Sequence, residues 1–150
     1  MEFAIYPEVA IMLAIFAVCI IISVFAFAGR ANAALYLEGE LIQLDKEQLA
    51  GGEGVTRGRY AFTRDMPSER HAVKEIGWLS LAPGHSIGLH THTVNEDAYI
   101  IVRGYGILTD ADGKDYPVKE GDVMIARKGE SHALSNSGVE DLVFVSVIAQ

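Results

Sequence analysis

A chain of 150 residues, half of them hydrophobic, contains enough apolar material for one domain with a single core. Asp and Glu number 20 against 12 Lys and Arg, and no basic stripe with interleaved aromatic residues occurs, so the composition argues against nucleic-acid binding. The single cysteine excludes an intrachain disulfide and a thiolate cluster for a metal.

The first segment is an apolar run, residues 10–29, whose 20 positions carry no charge, which is long enough to cross a bilayer. Ala31 and Ala33 follow as an A-x-A pattern of the kind that signal peptidase reads, so cleavage would fall after Ala33. Against a signal peptide, the segment before the run carries Glu and no Lys or Arg. Residues 1–33 are therefore predicted to be either a cleaved signal peptide, which would make the protein extracytoplasmic, or an apolar helix retained as a membrane anchor.

Residues 34–150 are predicted to form the folded domain, beginning with a short strand at Leu41–Leu44 and one or two helical turns over Asp45–Ala50. After the glycine-rich loop at Gly51–Gly54, short strands separated by turn signals about every 8–12 residues predict an all-β sandwich or barrel. The predicted strands are Arg59–Thr63, Glu75–Leu81, Ile87–His92, Asp97–Val102, Tyr105–Thr109, Tyr116–Val118, Val123–Ala126, Ala133–Ser135 and Leu142–Ile148.

Candidate metal ligands lie between Gly84 and Gly104. His90 and His92 stand two residues apart on a predicted strand, so both imidazoles point to the same face and can reach one ion. A carboxylate from Glu96 or Asp97, at the start of the next strand, would return beside them. Two histidines and a carboxylate suit a divalent ion such as Fe, Mn, Ni, Cu or Zn.

These residues resemble the first motif of the cupin family, which is a histidine pair followed by a carboxylate and a closing glycine. The second cupin motif is matched by a glycine, a turn, a histidine and an asparagine at Gly121, Arg127–Gly129, His132 and Asn136. The resemblance implies a double-stranded β-helix (jelly-roll) barrel, with His132 as a further metal ligand. Arg127 stands where the family has a proline, which shapes a turn and is not a ligand.

The resemblance leaves two choices for the acidic ligand. The family places six residues between its Glu and the closing glycine, and counting back from Gly104 on that spacing lands on Asp97. The residue type points instead to Glu96. We favour Asp97 on register and keep Glu96 as the alternative.

The resemblance also implies a function and partners. We expect one divalent metal ion with open positions for a small oxygen-rich molecule, as in cupin dioxygenases, isomerases, decarboxylases and lyases. A homodimer is expected by family analogy. The first alternative is a non-catalytic module that binds a small ligand or a metal, and the second is a metal-free enzyme with a His/Asp acid–base pair, like the sugar epimerases of this fold.

Arginine residues offer a candidate contact for such a ligand. Arg57, Arg59 and Arg64 lie on or beside the first barrel strand, where one could point inward and bind a substrate carboxylate. For each arginine taken singly, a position on a solvated strand face is the simpler explanation.

Overall fold

The computed structural model describes residues 33–67 and 71–150, and Tyr36–Gln150 form one compact unit. The predicted apolar helix at residues 10–29 lies outside the described residues, so the choice between signal peptide and membrane anchor stays a prediction. Within the described ranges, no helix has the length and apolar character needed to span a bilayer.

The described chain is built from short strands joined by turns. Two single 3₁₀ turns, Glu38–Glu40 and Leu49–Gly51, precede the first long strand. The strands are β1 (Ile42–Gln43), β2 (Lys46–Glu47), β3 (Val55–Phe62), β4 (Val73–Leu81), β5 (Ser86–Thr91), β6 (Glu96–Arg103), β7 (Tyr105–Asp110), β8 (Asp115–Lys119), β9 (Val123–Ala126), β10 (Ser131–Asn136) and β11 (Leu142–Ala149).

The strands form two antiparallel sheets. The larger sheet has the order β1-β3-β4-β11-β6-β9, with β2 also paired to β3, and the smaller sheet has the order β5-β10-β7-β8. Consecutive strands such as β4, β5 and β6 alternate between the two sheets, which is the connectivity of a jelly roll. The prediction of an all-β jelly-roll domain is confirmed.

The core lies between the sheets and follows from alternation along the strands. In β11, every second side chain from Leu142 is buried, because successive residues of a strand point to opposite faces. The buried apolar cluster consists of Tyr60, Leu79, Leu81, Ile87, Tyr99, Ile101, Leu134, Leu142 and Phe144. Burial of each such side chain stabilises the fold by about 1.5–3 kcal/mol. This packing holds in place the strands that carry the polar site.

The segment before β3 differs from the prediction. Lys46 and Glu47 pair with Thr56 and Val55 as an antiparallel strand, and a 3₁₀ turn follows. The prediction of helical turns over Asp45–Ala50 was wrong, because strand pairing to a later segment of the chain outweighs the local pattern.

Candidate metal centre

Four predicted site residues meet between the two sheets. His90 is the penultimate residue of β5 and His92 directly follows that strand, His132 lies in β10 of the same sheet, and Asp97 comes from β6 of the opposite sheet. One possible ligand atom from each residue lies within 4.8 Å of the other three. His92, Asp97 and His132 are buried and His90 is half-buried.

A bulge in β5 aims His90 into this cluster. His90 pairs with His132 and Ile87 pairs with Leu134, so β5 contains one more residue than β10 over this stretch. The extra residue reverses the alternation, which lets the apolar Ile87 and the ligand His90 both face inward. The bulge is the local feature that joins the hydrophobic core to the polar site.

Register decides between the two candidate carboxylates. In β6, Glu96 is exposed and Asp97 is 3% exposed, because neighbouring residues of a strand face opposite sides. Asp97 Oδ2 lies 3.7 Å from His92 Nε2 and 3.9 Å from His132 Nε2. The structure therefore brings Asp97 to the histidines and leaves Glu96 in solvent.

Hydrogen bonds orient two of the imidazoles. His90 Nδ1 donates to the carbonyl oxygen of Gly88 at 2.9 Å, and His92 Nδ1 donates to Asn95 Oδ1 at 2.9 Å. A ring nitrogen that donates in this way leaves the other, Nε2, with its lone pair directed into the cluster.

The third imidazole completes a set of donors that fits a cation. His132 Nε2 lies 2.9 Å from His92 Nε2, while His132 Nδ1 is buried without a partner among the described residues. Three imidazole nitrogens and one carboxylate oxygen thus converge in a buried space that offers them few hydrogen-bond donors. A divalent ion satisfies these atoms together, because neutral imidazole and carboxylate are its ordinary ligands.

Burial sets the protonation of the cluster. Desolvation, followed by the charges of His90 and His92, lowers the pKa of His132 to about 3, and desolvation also lowers the pKa of His90. Burial raises the pKa of Asp97 to about 6, against the opposing effects of the Ser146 hydroxyl and His92. At neutral pH His90 and His132 are therefore neutral and Asp97 is charged, which is the state in which each can bind a metal.

A pH dependence of metal binding follows from the Asp97 carboxyl. A metal ion must displace the Asp97 proton below about pH 6, where that pKa lies. We expect the metal dissociation constant to rise by about tenfold per pH unit below this value from the Asp97 proton alone. Metal titrations between pH 5 and 8 measure this, and an affinity that stays constant over that range would rule it out.

Sequence reasoning missed the residues that hold the candidate ligands in place. Ser146 Oγ donates to Asp97 Oδ1 at 3.0 Å, and Asn95 Oδ1 accepts from His92 Nδ1 at 2.9 Å. Ser146 was recognisable as the only hydroxyl in the apolar strand β11, and Asn95 as the amide between the two ligand segments. Their roles depend on pairings between distant strands, which the sequence does not display.

The other matched positions of the second motif have structural roles. Asn136 is buried and donates from Nδ2 to the carbonyl oxygens of Leu81 and Glu140, at 2.8 and 2.7 Å. Arg127, which replaces the family proline, donates its backbone N–H to the Glu130 carboxylate at 2.8 Å. The turn before His132 is thus closed by a side chain instead of by a proline ring.

Known proteins resemble this chain in sequence. The family model described as Cupin domain matches residues 77–148. The oxalate-binding protein of Thermotoga maritima is 35% identical over 100 residues, which are 67% of this chain and 80% of that protein. A gentisate 1,2-dioxygenase of a Ralstonia species is 33% identical over 73 residues, which are 49% of this chain and 20% of that enzyme.

Solved structures resemble it in fold. The crystal structure of a predicted oxalate decarboxylase from Thermotoga maritima superposes with a TM-score of 0.69 at 31% identity, covering 77% of this chain and 98% of that chain. A Klebsiella pneumoniae protein with a double-stranded β-helix domain superposes with a TM-score of 0.58 at 21% identity, covering 79% and 90% of the two chains. The second likeness concerns the fold alone.

Proposed function

Because this chain belongs to the cupin family, we propose that it holds one divalent transition-metal ion and binds a small carboxylate such as oxalate beside it. His90, His92, Asp97 and His132 would be the ligands of the ion. The observation that carries the proposal is the approach of their four ligand atoms to within 4.8 Å of one another. The ion would supply the positive charge that binds a ligand oxygen in a buried site.

The choice of ligand rests on the relatives and on the size of the site. The oxalate-binding protein is similar over 80% of its own length, so the likeness extends over most of that protein. A cavity of about 320 Å³ borders His132, one of the four candidate ligands, and its lining includes Leu108, Met124 and Ala126 as well as the acidic Asp110, Asp112 and Glu130. This volume suits a molecule of a few heavy atoms.

Calorimetric titration of oxalate into the metal-loaded full chain tests the proposal, with the chelator-treated chain as control. We expect binding that requires the metal, because the ion provides the charge that compensates the buried carboxylate. Metal-loaded protein that binds neither oxalate nor another small carboxylate would contradict it.

Catalysis on the same ligand is the second candidate, and the likeness to a predicted oxalate decarboxylase favours it. Turnover of oxalate would break its C–C bond, release CO₂ and place a proton on the carbon that becomes formate. Release of formate from oxalate by the metal-loaded chain separates an enzyme from a binding module. Substrate-dependent oxygen uptake would indicate dioxygenase chemistry instead.

A homodimer stays a prediction. Several large apolar side chains on the outer face of the larger sheet support it, since Trp78 is 43%, Ile100 41%, Val123 61% and Ile125 48% exposed. Light scattering on the full chain measures the mass in solution.

A further inference from the structure

The cavity that borders His132 lies between the two sheets. Its lining also includes Asp110 and Ala126. Asp110 pairs with His132 in the smaller sheet, and Ala126 pairs with Asp97 in the larger sheet. Directly paired residues of antiparallel strands share a face of the sheet. The cavity therefore runs between the inner faces that carry the candidate metal ligands.

The outer end of this cavity is negatively charged. Asp110, Asp112 and Glu130 line it, and its described lining residues include no Lys or Arg. Asp112 and Glu130 are exposed, so the cavity opens to solvent beside these carboxylates. Lys114, the cation nearest in the chain to the two aspartates, lies over the Tyr116 ring at 4.6 Å from the ring centre and offsets at most one of the three charges. We call this space the acidic cavity.

Hydrogen bonds hold two of these carboxylates in place without neutralising them. Asp110 accepts from two backbone N–H groups and from the Tyr116 hydroxyl, each at 3.0 Å. Glu130 Oε2 accepts from the backbone N–H of Arg127 at 2.8 Å. Among the described residues, the Asp112 carboxylate has no hydrogen-bond partner. All of these donors are uncharged, so the negative charge of the acidic cavity remains.

The arginine residues considered as ligand contacts in the sequence do not line the acidic cavity. Arg57 and Arg59 lie on the outer face of β3, where Arg59 Nη1 donates to Glu38 Oε1 at 2.6 Å. Arg64 Nε lies 3.7 Å from Glu75 Oε2. The carboxylates of the acidic cavity form no ion pair with any of these three arginines.

The inner end of the acidic cavity has an unsatisfied nitrogen. His132 is 2% exposed, and its Nδ1 has no partner among the described residues. The Nε2 atom of the same ring lies 2.9 Å from His92 Nε2, within the cluster of four candidate ligands. A buried polar atom without a partner costs about 1–3 kcal/mol. This end of the cavity therefore favours a polar occupant.

The charge of the acidic cavity selects what can enter it. A cleft lined by one sign of charge raises the local concentration of ions of the opposite sign and speeds their arrival. A divalent cation is therefore attracted to the outer end, whereas a dianion is repelled there.

We propose that the acidic cavity is the route by which the divalent ion reaches the four candidate ligands. Its three carboxylates attract the ion on its way and are not its final ligands. The inference rests on the proposed function and adds to it an order of binding. The ion binds before an anionic ligand, because the cavity without the ion repels an anion.

Stopped-flow mixing of the metal-free full chain with Co²⁺ tests this route, with the visible absorption of the bound ion as the signal. At about 10 mM salt, where the Debye length is about 30 Å, the cavity charge acts over its full range. We expect Asp112→Asn and Glu130→Gln each to lower the association rate constant about threefold, and the double variant about tenfold. At about 1 M salt, where the Debye length is about 3 Å, the variants should approach the wild-type rate. The final Co²⁺ content should stay at the wild-type value.

Glu140→Gln is the matched control. It removes the same charge from an exposed residue in the turn after β10, beyond the end of that strand opposite His132. We expect its association rate constant to equal that of wild type at low salt.

The outcomes distinguish this route from the proposed function. Equal rates in wild type and the double variant at low salt would overturn the route and leave the proposed function standing. A double variant with less than the wild-type Co²⁺ content at equilibrium would make the carboxylates ligands, which also overturns the route. If the wild-type chain takes up no metal, the proposed function fails and the route fails with it. Asp112→Asn decides the question alone should Glu130→Gln not fold.

Discussion

Replacing Asp97 by Asn is expected to weaken metal binding by more than about 100-fold, because even partners of metal ligands cost about 10–100-fold when removed. Asp97 provides the only carboxylate among the four converging residues, and an amide carries no charge to offset that of the ion. The Ser146 hydroxyl that donates to Asp97 Oδ1 can donate equally to an amide oxygen, so we expect the fold to persist. Competition against a chromophoric chelator measures the affinity.

The neighbouring residue provides a matched control. Glu96→Gln removes the same charge one position away, on the exposed face of the same strand. We expect its metal affinity to equal that of wild type. Loss of metal in Glu96→Gln, or wild-type metal affinity in Asp97→Asn, would show that Asp97 is not the acidic ligand.

Gly88→Ala is expected to lower both stability and metal affinity. A Cβ at Gly88 would lie 2.1 Å from the carbonyl oxygen of Ala50 and 2.8 Å from the backbone nitrogen of Gly52. Backbone atoms cannot rotate away, so β5 or the neighbouring turn must move, at a cost of about 3 kcal/mol. The same movement displaces the Gly88 carbonyl oxygen that accepts from His90 Nδ1, which loosens one candidate ligand.

Urea unfolding and metal titration measure the two effects of Gly88→Ala. Gly39→Ala is the control, because a Cβ there meets no atom within 4 Å. We expect its free energy of unfolding to change by less than about 0.5 kcal/mol. Equal stability of the two variants would show that the close packing of β5 on the turn does not matter.

Much of the fold could be predicted because its signals are local. Every predicted strand from Glu75–Leu81 onward overlaps an observed strand, since most of them are rich in β-branched or aromatic residues and lie between turn residues. The short strand β2 could not be predicted, because two residues form a strand only through pairing with Thr56 and Val55. The sequence of the glycine-rich loop at Gly51–Gly54 does not indicate that this loop packs on β5.

The candidate site was predictable in its ligand types and less so in its surroundings. The spacing of His90 and His92 places both on one face, and the position of Asp97 relative to Gly104 selected the buried carboxylate. The bulge in β5 and the Arg64–Glu75 contact depend on which strands become neighbours. Which strands become neighbours can be read from the sequence only when the fold is already known.

Metal content of the full chain tests the central claim most directly. The protein would be purified without added metal or nickel resin, reconstituted with a divalent transition metal, and analysed by plasma mass spectrometry beside the His90→Ala/His92→Ala double variant. We expect close to one ion per wild-type chain, and its loss in the double variant. A folded wild-type chain that holds no metal after reconstitution, or a double variant that holds as much as wild type, would contradict a metal centre at these residues.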